Sequence, residues 1–532
     1  MSFSLIYPET IPPAKRGFGT VSFSSFDFIS DLGLNELIAF KNSPWSSLKV
    51  LELKDFFTTD TGTIFYRAEM FTELLRNNTL VRLFETLLPT IEAFYNAQNV
   101  KDAKDDTESN LYIIREIELY IECMDKLRKA LNDETLESAA LKGFRQAVST
   151  ITDDKKYIIL KDEVSKMTFN VNNIKSITFG ANLDSNFRPM EAGIVSINNQ
   201  PFSAGSLMDK LFRLGSLPDT LQCISPLIPM QRGVSQLEAV SMNGAFISAL
   251  DGLLSKSIRS WKPAVTKFVL GSRRFLTDLL DEIRFILAVM KCLSELNSKG
   301  FSLCRPILAS KGDEILRDMY NPLTALKMKN PGDMTYNDHA FDTSGLIYVL
   351  TGPNAGGKSV FLHGVGLAYA FLHLGLPIPA SVARLCPTDG IFTHFLKKDE
   401  HLPGHSRFTE ECERVSIIAK QLTDGSVFFF DESLSGTSGT EAEYIAGEVL
   451  TAFGIKGARG IFATHLHGLS QHIHEYSAHP KNQSKIDNLC ADSEKANDKR
   501  SFKILRKPSD GLSHAREIAA RYGLSVSEIV RG

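Results

Sequence analysis

The stretch "YVLTGPNAGGKSVFLHG", Tyr348 to Gly364, decides how the C-terminal third of this chain is read. An apolar run at 346–350 leads into a glycine-rich turn, and a helical pattern at 360–374 leaves it. Strand, glycine loop, helix is the order of a phosphate cradle. Gly352 to Ser359 matches G-x-x-x-x-G-K-[ST] at every specified position. Glycines let the backbone curl until successive N–H groups face an anion, and the next helix turns its positive end to the same charge. Lys358 then neutralises β- and γ-phosphate oxygens, and the Ser359 hydroxyl meets Mg²⁺. Gly352, Pro353, Asn354, Ala355, Gly356, Gly357, Lys358, Ser359 and Val360 are therefore expected to hold ATP.

Such a loop needs a carboxylate on a second strand. "VFFFDES" supplies four apolar residues followed by Asp431 and Glu432. Asp431, at the strand end, is placed to hold Mg²⁺, and Glu432 to orient and deprotonate an attacking water. The plainer reading is a turn that begins with two acids. "IFATHLHG" offers a third apolar strand with a polar end. Its His465 is placed to meet the γ-phosphate or the water, although a single histidine at a strand end is more often structural.

Outside these motifs the composition is that of a globular chain. Its 532 residues are 43% hydrophobic and 23% charged, a mixture that excludes fibrous and wholly disordered classes. A net charge of −3 leaves no global basic field to draw the chain onto nucleic acid, so any DNA contact must be local. Seven scattered cysteines without a Cys-x-x-Cys pair imply reduced thiols in a cytoplasmic setting, and neither a disulfide framework nor a zinc site. The N-terminus lacks a secretory pattern, and no apolar run is long enough to span a membrane.

Three textures divide the chain. Residues 1–105 mix short apolar runs with helical pieces such as "AEMFTELLRNNTLVRLFETLLPTIEAFY". "KDAKDDTESN", 101–110, reads as a loop. Residues 106–310 carry two long helical patterns, "LYIIREIELYIECMDKLRKAL" and "FLTDLLDEIRFILAVMKCLSEL". Between them "IKSITFGANLD" and "AGIVSINNQPF" read as a hairpin borne on two helical arms, a β insertion at about 165–205. An ordinary α+β insertion without a DNA role fits the same pattern. Residues 311–532 alternate strand and helix, and continuous apolar strands of this kind belong to parallel sheets buried on both faces. The polar stretch 477–500 reads as a surface loop or poorly ordered segment.

With these pieces in place, the last third resembles the ATPase domain of the MutS family of DNA mismatch-repair proteins. "TGPNAGGKS", with Asn354 inside it, is similar to that family's glycine loop, and "IFATHLHGL" to its final switch strand. "HSRFTEEC" resembles the family's Ser-x-Phe-x-x-Glu segment through Ser406, Phe408 and Glu411. The resemblance implies that Ser406 acts in trans on nucleotide bound by a second subunit, and hence a homodimer. "SGTSGTEA" resembles the family's dimer-contacting loop through Gly436, Thr437 and Ser438, and the closing helices near the C-terminus are also similar. "YNDHAFD" resembles the family's adenine-lining segment through Asn337 and Asp338, and "YNP" at 320–322 stands where the family has His-Pro. Upstream, the helical middle and its hairpin resemble the levers and clamp that embrace DNA, in layout more than in motif.

The departures are specific. Met334 stands where the family places an adenine-stacking aromatic, so either Met334 packs on the base or Tyr336 takes over. Ser435 replaces an arginine of the family's Gly-Arg-Gly-Thr. No counterpart of the mismatch-reading N-terminal domain with its Phe-x-Glu wedge, or of a nuclease-type extension, is expected within these residues. The expected fold is thus multidomain: an α-rich core and lever region with a small β clamp-like insertion, then an α/β P-loop ATPase domain of the ABC-like kind. The expected function is ATP-driven movement of levers around double-stranded DNA in mismatch repair or recombination, with downstream repair proteins as further partners. A nucleotide-operated scaffold with slow hydrolysis is the alternative, and a small-molecule phosphotransferase is disfavoured. Lys256, Arg259, Lys262, Lys267, Arg273 and Arg274, in a stretch free of acids, form a candidate phosphate-contacting surface. A solvated helix face over core aromatics is the plainer reading of the same residues.

Overall fold

The computed structural model describes residues 3–12, 23, 25–40, 48, 50–101, 109–172, 176–186, 189–198, 228–229, 262–353, 356–395, 407–492, 495–496, 499–508 and 529. The helical patterns form helices Thr61–Arg76, Asn78–Lys101, Ser109–Asp133, Ala139–Thr152, Lys155–Asn172 and Lys262–Ser298. Leu276, Leu279, Leu280, Ile283 and Ile286 form one buried stripe on the last of these, set by the 3.6-residue period. Strands β1 (Ser176–Leu183) and β2 (Pro189–Asn198) pair antiparallel as the expected hairpin, with β3 (Ile228–Pro229) beside β2. Residues 102–108 of the expected loop, and the side chains of the basic segment from Lys256 to Arg274, lie outside the described residues. No described helix is long and apolar enough to cross a membrane.

Two sheets build the C-terminal region. The first has the order β4 (Ile307–Leu308), β8 (Val382–Leu385), β5 (Asp313–Met319), β6 (Asn337–Asp342). The second has the order β15 (Ile504–Leu505), β12 (Ile486–Ala491), β7 (Ile347–Thr351), β11 (Arg459–Ala463), β10 (Val427–Asp431), β9 (Ile391–Phe395). Strands β12, β7, β11, β10 and β9 run parallel, and β15 is antiparallel. A two-stranded ribbon joins β13 (Lys495–Ala496) to β14 (Lys499–Arg500). The continuous apolar runs have their physical reason here. Ile347, Val349, Phe428, Phe430 and Phe462 point into one core, under helices Arg407–Gln421 and Gly439–Ile455. Tyr348, Leu350, Phe429, Ile461 and Ala463 point into the other, which helix Lys358–Leu374 covers. Each fully buried Phe contributes about 1.5–3 kcal/mol.

That second core does not stop at the sheet. It runs on through the long helices to Leu5, Ile6 and Phe28 near the N-terminus. Buried polar groups stitch the same regions. Ser4 Oγ and Leu5 N donate to the Glu282 carboxylate at 2.6 and 2.7 Å. Arg67, fully buried, donates from Nε to the Ile6 carbonyl at 2.8 Å and from Nη1 to the carbonyls of Phe56 and Leu374.

One expectation fails. The stretch 477–500, read as a surface loop or poorly ordered segment, contains β12, which pairs with β7 beside the glycine loop. Asp487 and Asn488 break the apolar run that marks a buried strand. Asn488 is nonetheless buried because its side-chain amide donates to the Ser470 carbonyl at 2.9 Å.

Candidate nucleotide site

Parallel register brings three motif-bearing strand ends to one edge. Leu350 pairs with Ala463, and Ala463 with Asp431, so the segments carrying Gly352, Glu432 and His465 leave the sheet side by side. The loop itself is shaped by close approach. Gly352 has φ +135°, and a Cβ there would sit 2.6 Å from that of Ala491 on β12. Gly357 has φ +89° and begins helix Lys358–Leu374. Gly356 N–H donates to the Pro353 carbonyl at 3.0 Å, closing the turn. Asn354 and Ala355 lie outside the described residues, as does Ser406.

Lys358 is 5% exposed and donates from Nζ to the carbonyls of Gly352 (2.9 Å) and Pro353 (3.2 Å). Burial lowers its pKa, and the nearby Glu432 and Asp431 charges oppose that shift. Burial raises the Asp431 carboxyl above the usual range, and Glu432 adds to it, while a hydrogen bond from Ser359 and the Lys358 charge pull it back. Asp431 Oδ1 is buried and has no hydrogen-bond partner among the described residues. The Ser359 hydroxyl and the Asp431 carboxylate, with its one orphaned acceptor oxygen, are hard-oxygen donors that fit Mg²⁺, an ion that completes its shell with water and phosphate. Glu432, with φ +52°, follows the strand in the left-handed region and donates its N–H to the Ala463 carbonyl at 2.9 Å. His465 is exposed. Its neighbour Thr464 is buried, joined through N–H to the Leu350 carbonyl at 2.9 Å. Val360 is exposed on the first turn of the helix, and its carbonyl accepts from Asn321 Nδ2 at 3.3 Å.

The segment Met334–Asn337 lies next to this loop through residues 501–504. Thr335 Oγ1 donates to the Ser501 carbonyl at 3.1 Å. Asn337 Nδ2 donates to the Phe502 carbonyl at 3.3 Å, and its Oδ1 accepts from Ile504 N at 2.8 Å. Met334 is only 8% exposed, and the Tyr336 ring meets Tyr320 edge-on at 5.9 Å. Phe502 leaves a large aromatic face open beside the loop. It is 44% exposed, held at φ +51°, and has its Cβ 3.5 Å from where a Gly357 Cβ would sit. The sequence contained no signal for Phe502, because it sits in a polar stretch. Asp338 faces away and pairs with Arg317 at 2.7 Å. On the far side, Gly436 packs against the start of helix Arg407–Gln421, and Thr437 and Ser438 hydroxyls donate to Glu441 at 2.7 and 2.9 Å.

Residues 348–531 match the family described as MutS domain V, and residues 59–321 match the MutS2 N-terminal domain. A probable DNA mismatch repair protein Msh6 of Drosophila melanogaster is 32% identical over 191 residues, 35% of this chain and 16% of that protein. The DNA mismatch repair protein MutS of Methanothrix thermoacetophila is 34% identical over 171 residues, 32% of this chain and 20% of that protein. That of Prochlorococcus marinus is 33% identical over 207 residues, 38% and 22% respectively. The chain thus spans between 16% and 22% of the length of these relatives. With its sheet region and its helical region matched by separate MutS-type families, the chain belongs to the MutS family.

Proposed function

We propose that this chain binds and hydrolyses Mg·ATP as a homodimer and uses the cycle to move its helical arms on double-stranded DNA, in mismatch repair or recombination. The observation that carries the reading is the convergence of the glycine loop, the Ser359–Asp431 pair with its orphaned oxygen, and Glu432 at one sheet edge. Lys358 now satisfies two loop carbonyls. A triphosphate offers it stronger, charge-assisted partners, so the lysine turns from loop to phosphate on binding. Ser359 and Asp431 would hold Mg²⁺, which neutralises charge on the phosphates. Glu432 takes the proton of the attacking water, and His465, exposed at the adjoining strand end, lies within the same edge to orient it. Phe502 offers the adenine a face that the buried Met334 does not, with Asn337 and Tyr336 beneath. Ser406, the residue that precedes Arg407 in sequence, is assigned to the partner's nucleotide.

The decisive experiment measures ATP turnover with no DNA, homoduplex, mismatched duplex and branched junctions, for the wild type and Glu432→Gln. Turnover raised by at least one DNA, and lost in the variant with nucleotide retained, is the expected result. Equal rates in all four conditions refute the DNA-directed part. Unchanged turnover in Glu432→Gln refutes the assignment of the base. Retained cellular function in a hydrolysis-dead Glu432→Gln supports the scaffold alternative.

A further inference from the structure

Ser433, the residue after the proposed base, is buried at 1% exposure, as is His394 on the neighbouring strand β9. His394 stands opposite Phe430 in the β9–β10 register, one step short of Asp431. The two side chains are joined twice. Ser433 Oγ donates to the His394 carbonyl at 3.0 Å, and His394 Nδ1 lies 2.7 Å from the same oxygen. A hydroxyl has one proton, so Nδ1 carries the hydrogen of the second bond and Nε2 is left as an acceptor. That Nε2 is buried with no partner among the described residues. An unpaired nitrogen is a poor choice if the position served packing alone, since an apolar side chain would leave nothing unsatisfied. The imidazole supplies instead a second grip on the Ser433 hydroxyl.

The backbone shows what that grip works against. Glu432 and Leu434, on either side of Ser433, have φ of +52° and +62°. Non-glycine residues keep such conformations only where their surroundings over-determine them. Three anchors do so. Glu432 N–H reaches across to the Ala463 carbonyl on β11, the Leu434 side chain is buried at 1% exposure, and Ser433 is tied to β9 on the opposite side. The turn is thereby suspended between the two strands that flank β10.

We propose that His394 and Ser433 are positioning residues, whose paired hydrogen bonds hold the strained turn so that the Glu432 carboxylate faces the attacking water. The inference rests on the ATPase reading above. It concerns the rate of the chemical step and not nucleotide affinity, because neither side chain belongs to the loop that receives the phosphates.

The test compares His394→Ala, Ser433→Ala, the double variant and His394→Asn, whose amide nitrogen can replace Nδ1. Single-turnover hydrolysis and nucleotide Kd are measured on each full chain. Each alanine variant is expected to lower the hydrolysis rate about 10- to 100-fold, the scale of a misplaced catalytic group, with Kd changed less than about threefold. The double variant should be no slower than the worse single one, and His394→Asn should recover most of the rate. Alanine variants that hydrolyse at the wild-type rate overturn the inference, as do parallel losses of Kd and rate. If the alanine variants do not fold, Ser433→Cys keeps the volume and weakens both bonds. A slowed rate then supports the inference and a wild-type rate overturns it. Failure of the wild type to retain or hydrolyse Mg·ATP marks the failure of the underlying reading instead.

Discussion

At the scale of single residues, the site is defined by groups whose burial leaves chemistry unfinished. Asp431 keeps one oxygen without a partner, and its neighbour Ser359 supplies the hydroxyl beside it. Asp431→Asn keeps the shape and removes the charge. Nucleotide retention in that variant should become indifferent to chelation of divalent cations, as measured by dialysis with and without EDTA. Persistent Mg²⁺ dependence would move the metal elsewhere. Buried histidines give a second prediction. Burial depresses His339 to about 3 and His373 to about 4. His373 is further locked, with Nδ1 on the Thr58 carbonyl at 2.8 Å and Nε2 accepting from Thr388 N at 3.0 Å. Both are neutral when folded, whereas unfolded histidine takes up a proton below about pH 6.5. Their stabilising contribution is therefore full above that pH and declines as pH falls toward the folded values, by about 2 kcal/mol each between pH 6.5 and 5. Urea titrations across that window should show the loss, and His373→Gln should flatten it by one proton. Lys358, Asp431 and Glu432 were legible in the sequence because motif spacing defines them. His394 and Phe502 were not, because their partners lie far away along the chain.

At the scale of elements, the glycine loop is shaped by a strand that the sequence concealed. Gly352 is tight against Ala491, and only β12 puts Ala491 there. Gly352→Ala would meet both a disfavoured φ and a collision at 2.6 Å, so the loop must shift. Expected is a loss of nucleotide retention exceeding about tenfold with the helices of the chain intact by circular dichroism. Retention equal to wild type would show that the loop tolerates the displacement. Phe502→Ala removes the exposed face beside Gly357 and should weaken ATP more than tripolyphosphate, by about 0.5–1.5 kcal/mol, the scale of an aromatic pair. Equal losses for both ligands would remove the base from that face. The long helices and the hairpin were legible from period alone. β12 was not, because Asp487 and Asn488 interrupt the apolar run and find their partners, Arg506 and the Ser470 carbonyl, only in the folded sheet.

At the scale of the whole molecule, one apolar core joins the N-terminal segment, the long helices and one face of the six-stranded sheet. Arg67 touches Ile6, Phe56 and Leu374 carbonyls at once, so it belongs to three stretches of chain. Arg67→Ala would leave those carbonyls unpaired, at about 1–3 kcal/mol each. Calorimetry should show one main transition for the described regions, shifted as a unit in the variant. Two well-separated transitions, of which only one shifts, would refute a shared core. Sequence by itself determined the period-driven helices, the buried parallel strands and the spacing of Lys358, Asp431 and Glu432, because each is a local pattern with a local physical cause. Only the tertiary structure decided that β12 completes the loop's wall, that Phe502 supplies the open face and that His394 grips the turn after Glu432. Those depend on contacts between residues far apart along the chain, and sequence distance carries no record of them.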